Sequence, residues 1–405
     1  MSAVERWLSI IGVGEDGLEG LSPAARTLIA QASLVVGGRR HLALVADVTH
    51  GETLAWPSPP QAAFPAILAR RGASVCVVAS GDPFFYGIGS LLAREVPAEQ
   101  MLCLPGASSF SLAAGRLGWA LQDCALVTLH GRALERIVPS LQPRSRILAL
   151  SWDETTSPRL AELLVRHGFG DTRMTVCEAL GGPRERLRQA TAGDFALQGI
   201  DRLNLVALEL TDARGARVIP LAPGLPDAWF EHDGQLTKQD IRAVTLAALA
   251  PRRGELLWDI GAGSGAVGIE WMLACAENRA VAIERHAVRA GRIARNAVAL
   301  GVPDLSIIEG SAPDALRDLP CPDAVFIGGG ATGTGTIDMA WDALPGGGRM
   351  VANGITLETQ AELIRRFKSL GGSLKTIQIS HADPIGSFSV LRPALPVIQW
   401  SVTKP

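Results

Sequence analysis

The chain has little lysine: only Lys238, Lys368, Lys375 and Lys404, against 34 arginines. The six cysteines, at positions 76, 103, 124, 177, 275 and 321, form no C-x-x-C pair, and the seven histidines form no H-E-x-x-H. A redox dithiol and a metal site of those kinds are therefore not expected, and the thiols read as buried apolar groups. No apolar run approaches ~20 residues, which gives no case for a membrane span. The opening MSAVERWLSIIGVGED has too short an apolar stretch for a secretory signal and points to a cytoplasmic chain. Excess charge is also missing: a net charge of -2 gives no electrostatic case for nucleic acid. The arginine bias has two readings, codon usage in a GC-rich genome or the recognition of planar anions, for which Arg is the better partner.

What remains is an ordinary globular composition, 47% apolar and 19% charged over 405 residues, long enough for two domains. From residue 7 to about 118, short apolar runs (WLSIIGVG, SLVVGG, SVCVVASGD, MLCLPGAS) alternate with helical patterns, the rhythm of a parallel α/β sheet. ALVTLHG, RILALSW, RMTVCEAL and LNLVALEL, between about 125 and 210, have fewer crossovers and predict a second lobe of mixed sheet. TDARGARVIPLAPGLPDAW then breaks all periodicity. The expected division is residues 1–211, a linker at 212–221, and residues 222–405. The last part reads as a doubly wound sheet built on ELLWDIG, AVAIER, LSIIEG, AVFIGG and GRMVANG. Two final strands, about 373–381 and 387–402, are expected to close it as an antiparallel hairpin.

Two glycine clusters have dinucleotide-like spacing: Gly12, Gly14 and Gly17, and Gly263, Gly265 and Gly268. The second sits in ELLWDIGAGSGAVGIE, with the strand, turn and helix that a nucleotide loop requires. Glu284, 23 residues after Gly261, is placed to accept from ribose hydroxyls. Asp259 separates the two cofactors that fit: a carboxylate there opposes a pyrophosphate but suits the cationic, phosphate-free end of S-adenosylmethionine (SAM). Positions 259–265 resemble motif I of class I SAM-dependent methyltransferases. With PGLPDAWFEHDGQLTKQDIRAVTLAAL, EGSAPDAL and DAVFIGGG, residues 222–405 resemble the decarboxylating precorrin methyltransferases of cobalamin biosynthesis. That resemblance implies that Gly261, Ala262, Gly263, Ser264 and Gly265 wrap the methionine part of SAM, that Glu284 holds its ribose, and that Ala312 borders its adenine. It also brings Thr237 to the cofactor, although Thr237 reads equally as a helix N-cap with Asp240 three residues on. Ser311 and Asp240 depart from the residues common there.

The first cluster is a poorer nucleotide loop. Glu15, Asp16 and Glu19 would repel a pyrophosphate, and the helix is expected only from Ser22-Pro23, an N-cap with proline at N1. The next strand ends in Arg39 and Arg40 with no acid for a ribose; these arginines read as an NADP phosphate site or as surface charge. ASGDPFFYG and LPGASSFSLAAGRLGW follow strands, and together with GVGEDG and LHGR they resemble the tetrapyrrole methylases, the two-lobed class III SAM-dependent fold, over residues 7–210. This implies a cofactor site at Gly81, Asp82, Tyr86, Ala107, Ser108 and Ser109. It implies a substrate side at Gly12, Gly14 and Asp16.

A class III corrin methylase followed by a decarboxylating class I one implies methylation at meso carbons 5 and 15, with loss of carbon dioxide from the acetate at carbon 12, in the aerobic branch. Two SAM sites and a precorrin partner follow. Family habit implies a homo-oligomer. His130, Arg132, Lys238 and Arg242 are candidate catalytic groups, and Arg132 and Arg242 are further expected to meet substrate carboxylates. Two other classes fit parts of the pattern: an NAD(P)-dependent oxidoreductase using the first loop, and a noncatalytic SAM-binding regulator.

Overall fold

The computed structural model describes residues 6–212 and 214–405. They fall into two compact units, one running to Leu134 and resuming at Gln142–Arg217, the other comprising Glu135–Leu141 and Val218–Pro405. None of the described helices is long and apolar enough to cross a membrane.

The first unit holds two five-stranded sheets. One is built from β1 (Leu8–Val13), β2 (Leu34–Gly37), β3 (Glu52–Ala55), β4 (Val75–Ser80) and β5 (Met101–Leu104), in the order β3-β2-β4-β1-β5. Every pairing is parallel, and β1, LSIIGV, is buried along its whole length, as a central parallel strand with both faces covered must be. The other contains β6 (Cys124–Thr128), β7 (Arg146–Leu150), β8 (Arg173–Glu178), β9 (Arg186–Thr191) and β10 (Asn204–Glu209), ordered β6-β7-β10-β8-β9. Only β6 and β7 run parallel, so the sheet is mixed as its sparse crossovers implied. The sequence pattern missed β3 and β9. Both are edge strands whose residues face solvent or are half-buried, so no apolar alternation marks them.

The second unit is a seven-stranded sheet. Its members are β11 (Leu256–Ile260), β12 (Arg279–Glu284), β13 (Ser306–Glu309), β14 (Ala324–Ile327), β15 (Arg349–Gly354), β16 (Ser373–Ile377) and, beyond a hairpin, β19 (Val397–Thr403). The order is β13-β12-β11-β14-β15-β19-β16, with β19 antiparallel to both neighbours. Here the expected pair of long closing strands is corrected. The tail makes four short strands, of which β17 (Ser380–Ile385) and β18 (Phe388–Pro393) pair only with each other. Their hairpin, closed at Gly386 with φ +59°, separates the two sheet strands β16 and β19. Trp258, Trp271 and Trp400 are the bulkiest fully buried side chains of this unit. Each indole N–H is satisfied by a backbone carbonyl, of Pro320, Arg279 and Gly371 respectively, so the rings are buried without an orphaned donor.

Candidate active sites

In the first unit the C-terminal ends of β1, β4 and β5 meet through backbone alone. Gly81 N–H donates to Val13 O at 3.2 Å, and Gly106 N–H to Gly81 O at 3.0 Å. A Cβ on Gly12 would fall onto the Gly81 carbonyl oxygen and the Gly106 amide, so only glycine fits. Gly12 is buried, which corrects its expected place on the substrate side: it lets the two later loops close over β1. Gly14 is half-buried and Asp16 exposed, so these two remain on the open face. Three successive turns follow before Ser22 Oγ accepts from Ala25 N–H at 3.2 Å and the helix Pro23–Gln31 starts.

Glu15, the first acid of that loop, is paired with Arg40 and lies 3.8 Å from Arg184. Arg40 also donates to Ser80 Oγ at 3.1 Å, so it is neither loose surface charge nor a free phosphate ligand. Burial, with Arg40 alongside, pushes the His41 imidazole down to about 4.

After β4, Gly81 takes φ +52° and Asp82 Oδ1 accepts from Phe84 N–H at 2.9 Å, a closed Asx-turn. Tyr86 has φ +56°, an uncommon conformation for a bulky residue, and is 53% exposed. Its ring and that of Phe85 cluster with Phe110 at centroid distances of 6.3 and 5.2 Å. Phe110 belongs to the helix Ser109–Leu117, whose N-cap Ser108 accepts from Ser111 N–H at 3.1 Å. The Ser108 hydroxyl is thus committed to the cap, whereas Ala107 is exposed and the carbonyl of Ala107 stands close to Gly81. The predicted cofactor segments are therefore adjacent. At the ends of β6 and β7, His130 stacks on Trp152 at 5.3 Å, over Gly131 with φ +69°. Arg132 is exposed. Trp152 was not singled out as a site residue from sequence, since a strand-end aromatic carries no spacing signal.

In the second unit Gly261, Gly263 and Gly265 all take left-handed φ, of +70°, +61° and +77°. The turn is held from behind by Glu284, whose carboxylate accepts from Gly263 N–H at 2.9 Å and His286 N–H at 3.0 Å. Asp259 is buried, and its Oδ2 accepts from Gly268 N–H at 2.9 Å. Burial pushes this carboxyl up to about 7, and the nearby Glu284 charge adds to the shift. Its Oδ1 and the Ser264 hydroxyl have no partner among the described residues. A cationic, phosphate-free ligand fits such a turn, since it would favour the ionised form of Asp259.

The segment before β11 is latched over this turn. The Gln235 carbonyl oxygen stands 2.8 Å from where a Gly263 Cβ would be. Asn296 donates to Ser264 O at 2.9 Å and Glu231 O at 3.1 Å. Glu270 accepts from Gly224 and Leu225 N–H, at 2.6 and 2.9 Å, and from Arg242 Nε at 2.5 Å. Arg242 is 0% exposed and also donates to Asp227 Oδ1, Thr237 O and Leu225 O, with Phe230 under its guanidinium. Its expected contact with a substrate carboxylate is corrected: every face is taken up in holding the segment. Glu270, missed in the sequence, was detectable as one acid inside the apolar AVGIEWMLA.

The Thr237 N-cap is corrected as well. The helix is Gln239–Leu249, its N-cap is Lys238, and no side chain caps it. Arg242 claims the Thr237 carbonyl, and Asp240 faces His381 at 3.5 Å instead of closing a capping box. Lys238 is exposed, with Nζ 3.7 Å from Asp227. Ala312 is half-buried beside the β14 turn, its carbonyl 3.9 Å from a Cβ built on Gly333.

A family model described as tetrapyrrole (corrin/porphyrin) methylases matches residues 8–196, and one described as a precorrin methyltransferase domain matches residues 228–404. A precorrin-6Y C(5,15)-methyltransferase [decarboxylating] of Sinorhizobium sp. is 52% identical over 401 residues, spanning 99% of this chain and 97% of its own. The chain belongs to the precorrin-6Y C(5,15)-methyltransferase family. A member from Mycobacterium tuberculosis (strain ATCC 25618 / H37Rv) is 41% identical, over 98% of this chain and 99% of its own. The crystal structure of the C-terminal domain of the Rhodobacter capsulatus precorrin-6Y C5,15-methyltransferase is 46% identical and covers 46% of this chain and 100% of that one, with a TM-score of 0.44. As a precorrin-6Y methyltransferase the chain is an enzyme, with SAM as its methyl donor.

Proposed function

We propose that the protein methylates a precorrin-6 intermediate at carbons 5 and 15 and removes carbon dioxide from the acetate at carbon 12, with one SAM site in each unit. The observation that carries this reading is that two separate sheets each end in a turn with left-handed glycine, Gly81 in one and Gly261, Gly263 and Gly265 in the other, inside a chain that aligns end to end with relatives named C(5,15)-methyltransferases [decarboxylating]. In the first unit the candidates for holding SAM are Gly81, Asp82, Tyr86, Ala107 and Ser109. In the second they are Asp259, Gly261 to Gly265, Glu284 and Ala312. Bound SAM supplies an activated methyl group on a sulfonium. The chain's share of catalysis is then mainly to hold a nucleophilic meso carbon in line with that methyl group. Arg132, exposed beside the His130–Trp152 stack, is the favoured carboxylate contact in the first unit. The aerobic branch of cobalamin biosynthesis is part of this reading.

The acids of the first glycine loop and the engagement of Arg40 argue against an NAD(P) site there. Mass spectrometry of reduced precorrin-6 incubated with the full chain and SAM tests the reading. Gain of two methyl groups with loss of one carboxylate is expected, and calorimetry should find two SAM sites per chain. Retention of every carboxylate by the SAM-replete enzyme would overturn it.

A further inference from the structure

A third glycine-rich turn, Gly328-Gly329-Gly330-Ala331-Thr332-Gly333-Thr334-Gly335, joins β14 to the helix Thr336–Ala343. It starts stacked on the SAM turn: Gly328 and Gly329 N–H donate to Ile260 O at 3.0 and 3.4 Å, and Gly261 has no room for a Cβ against Gly329. Glu284, on β12, engages the SAM turn from the other side of β11. The strand order reverses between β11 and β14, the place where open sheets of this kind hold ligands. The β14 side is thus left for the methyl acceptor.

Inside the turn, Gly330 O accepts from Gly333 N–H at 2.9 Å and Gly333 O accepts from Thr336 N–H at 3.1 Å. The amides of Thr332, Thr334 and Gly335 have no protein acceptor among the described residues. Thr336 is 0% exposed, and its hydroxyl has no partner among the described residues. That hydroxyl points into the turn, where a Cβ on Gly333 would stand 2.9 Å from Oγ1 and 3.0 Å from Gly330 O. A side chain at 333 would therefore crowd this hydroxyl and the Gly330 carbonyl. Asp338, the acid in the first turn of the helix, is bound to Arg366 at 2.8 Å and does not occupy the helix N-terminus. A buried hydroxyl left alone is unfavourable, and helix N-terminal amides attract anions, so both observations call for the same kind of guest.

We propose that the turn Gly330–Thr336 binds the carboxylate of the acetate side chain that is lost as carbon dioxide. The inference rests on the functional reading above and assigns decarboxylation a place in it. Amide and hydroxyl donors orient the carboxylate without a full opposing charge, so they do not over-stabilise the charge that must leave it in the transition state. The bond between the side-chain methylene and the carboxylate carbon breaks, and its electron pair passes into the conjugated imine system of the macrocycle. Carbon dioxide departs, and a proton from water converts the methylene to methyl. No oxidant or reductant is consumed. The methionine carboxylate of SAM is the other source of the same chemistry, and it is separable by experiment.

The test compares full-length Thr336→Val, Thr336→Ser and Gly333→Ala by product mass spectrometry on reduced precorrin-6, with SAM affinity measured by calorimetry. Thr336→Val and Gly333→Ala are expected to lower the ratio of decarboxylated to methylated product by about tenfold or more, with SAM affinity held within about twofold, while Thr336→Ser keeps most of the wild-type ratio. A wild-type ratio in both Thr336→Val and Gly333→Ala overturns the assignment. So does a parallel loss of SAM affinity and of both products, which would place the SAM carboxylate in the turn. A wild-type enzyme that neither methylates nor decarboxylates would instead sink the functional reading itself.

Discussion

The turns at Gly12-Gly14-Gly17 and Gly261-Gly263-Gly265 look alike in sequence and use glycine for different reasons. In the second turn all three glycines take left-handed φ, which bends the backbone sharply after β11. In the first, only Gly17 does, with φ +55°, and Gly12 is glycine because two other loops lie where its side chain would be. The acids differ as well. Glu15 is paired with Arg40, whereas Asp259 has no cationic partner among the described residues and keeps an oxygen unsatisfied by them. Spacing alone therefore does not tell the two turns apart; left-handed glycines and an uncompensated carboxylate do.

The largest expected effect comes from Gly12→Ala. Its Cβ would overlap backbone atoms that cannot swing away, so a loss of about 4–5 kcal/mol is expected in urea denaturation. Gly14→Ala meets only the end of the Asp16 side chain and should cost about 1 kcal/mol. Equal effects of the two would dissolve the contrast. Next comes Gly263→Ala, where a left-handed φ combines with the Gln235 carbonyl 2.8 Å away; about 2–3 kcal/mol and a matching loss of SAM affinity are expected.

Asp259 predicts a pH effect with a defined sign. Its carboxyl is raised to about 7 in the ligand-free fold, so between about pH 4 and 7 the native state holds a proton that the unfolded chain has released. Ligand-free stability contributed by this group therefore falls as pH rises through that window and is flat above it. A cationic ligand favours the ionised form, so SAM affinity at this unit should fall by up to about tenfold per pH unit below 7. Asp259→Asn should flatten that slope in a calorimetric pH series, and an unchanged slope would show that another group is responsible. The smallest change is expected from Glu15→Gln. Its pair with the 39%-exposed Arg40 side chain is worth about 1 kcal/mol or less, read from the denaturation midpoint. A loss of several kcal/mol would mean that the first turn also depends on its acid.

Much of this arrangement is encoded locally. Ser22-Pro23 starts its helix as the residues require, the fully apolar β1 lies inside a parallel sheet, and the Asp259 to Gly265 run makes a strand and a left-handed turn. Glu284 reaches that turn because β12 pairs in parallel beside β11, an adjacency that the α/β rhythm implies. The failures were of another kind. Arg242 and Thr237 sit in a segment whose residue types suit either a ligand or a frame, and the choice was made by Glu270, distant in sequence and buried among apolar neighbours. The tail strands were misjudged because β17 and β18 are solvent-exposed and carry no core-facing alternation.

The sequence by itself thus determined the two α/β units, the order of their turns and the residue types able to meet a cationic cofactor, because these follow from short-range periodicity, glycine conformation and charge. Which glycines bend the backbone and which serve packing, that Arg242 is a clamp, and that the Thr336 hydroxyl has no partner among the described residues were decided only by tertiary structure. Each of those properties depends on which atoms from distant parts of the chain occupy the few ångströms around a group, and no local pattern records that.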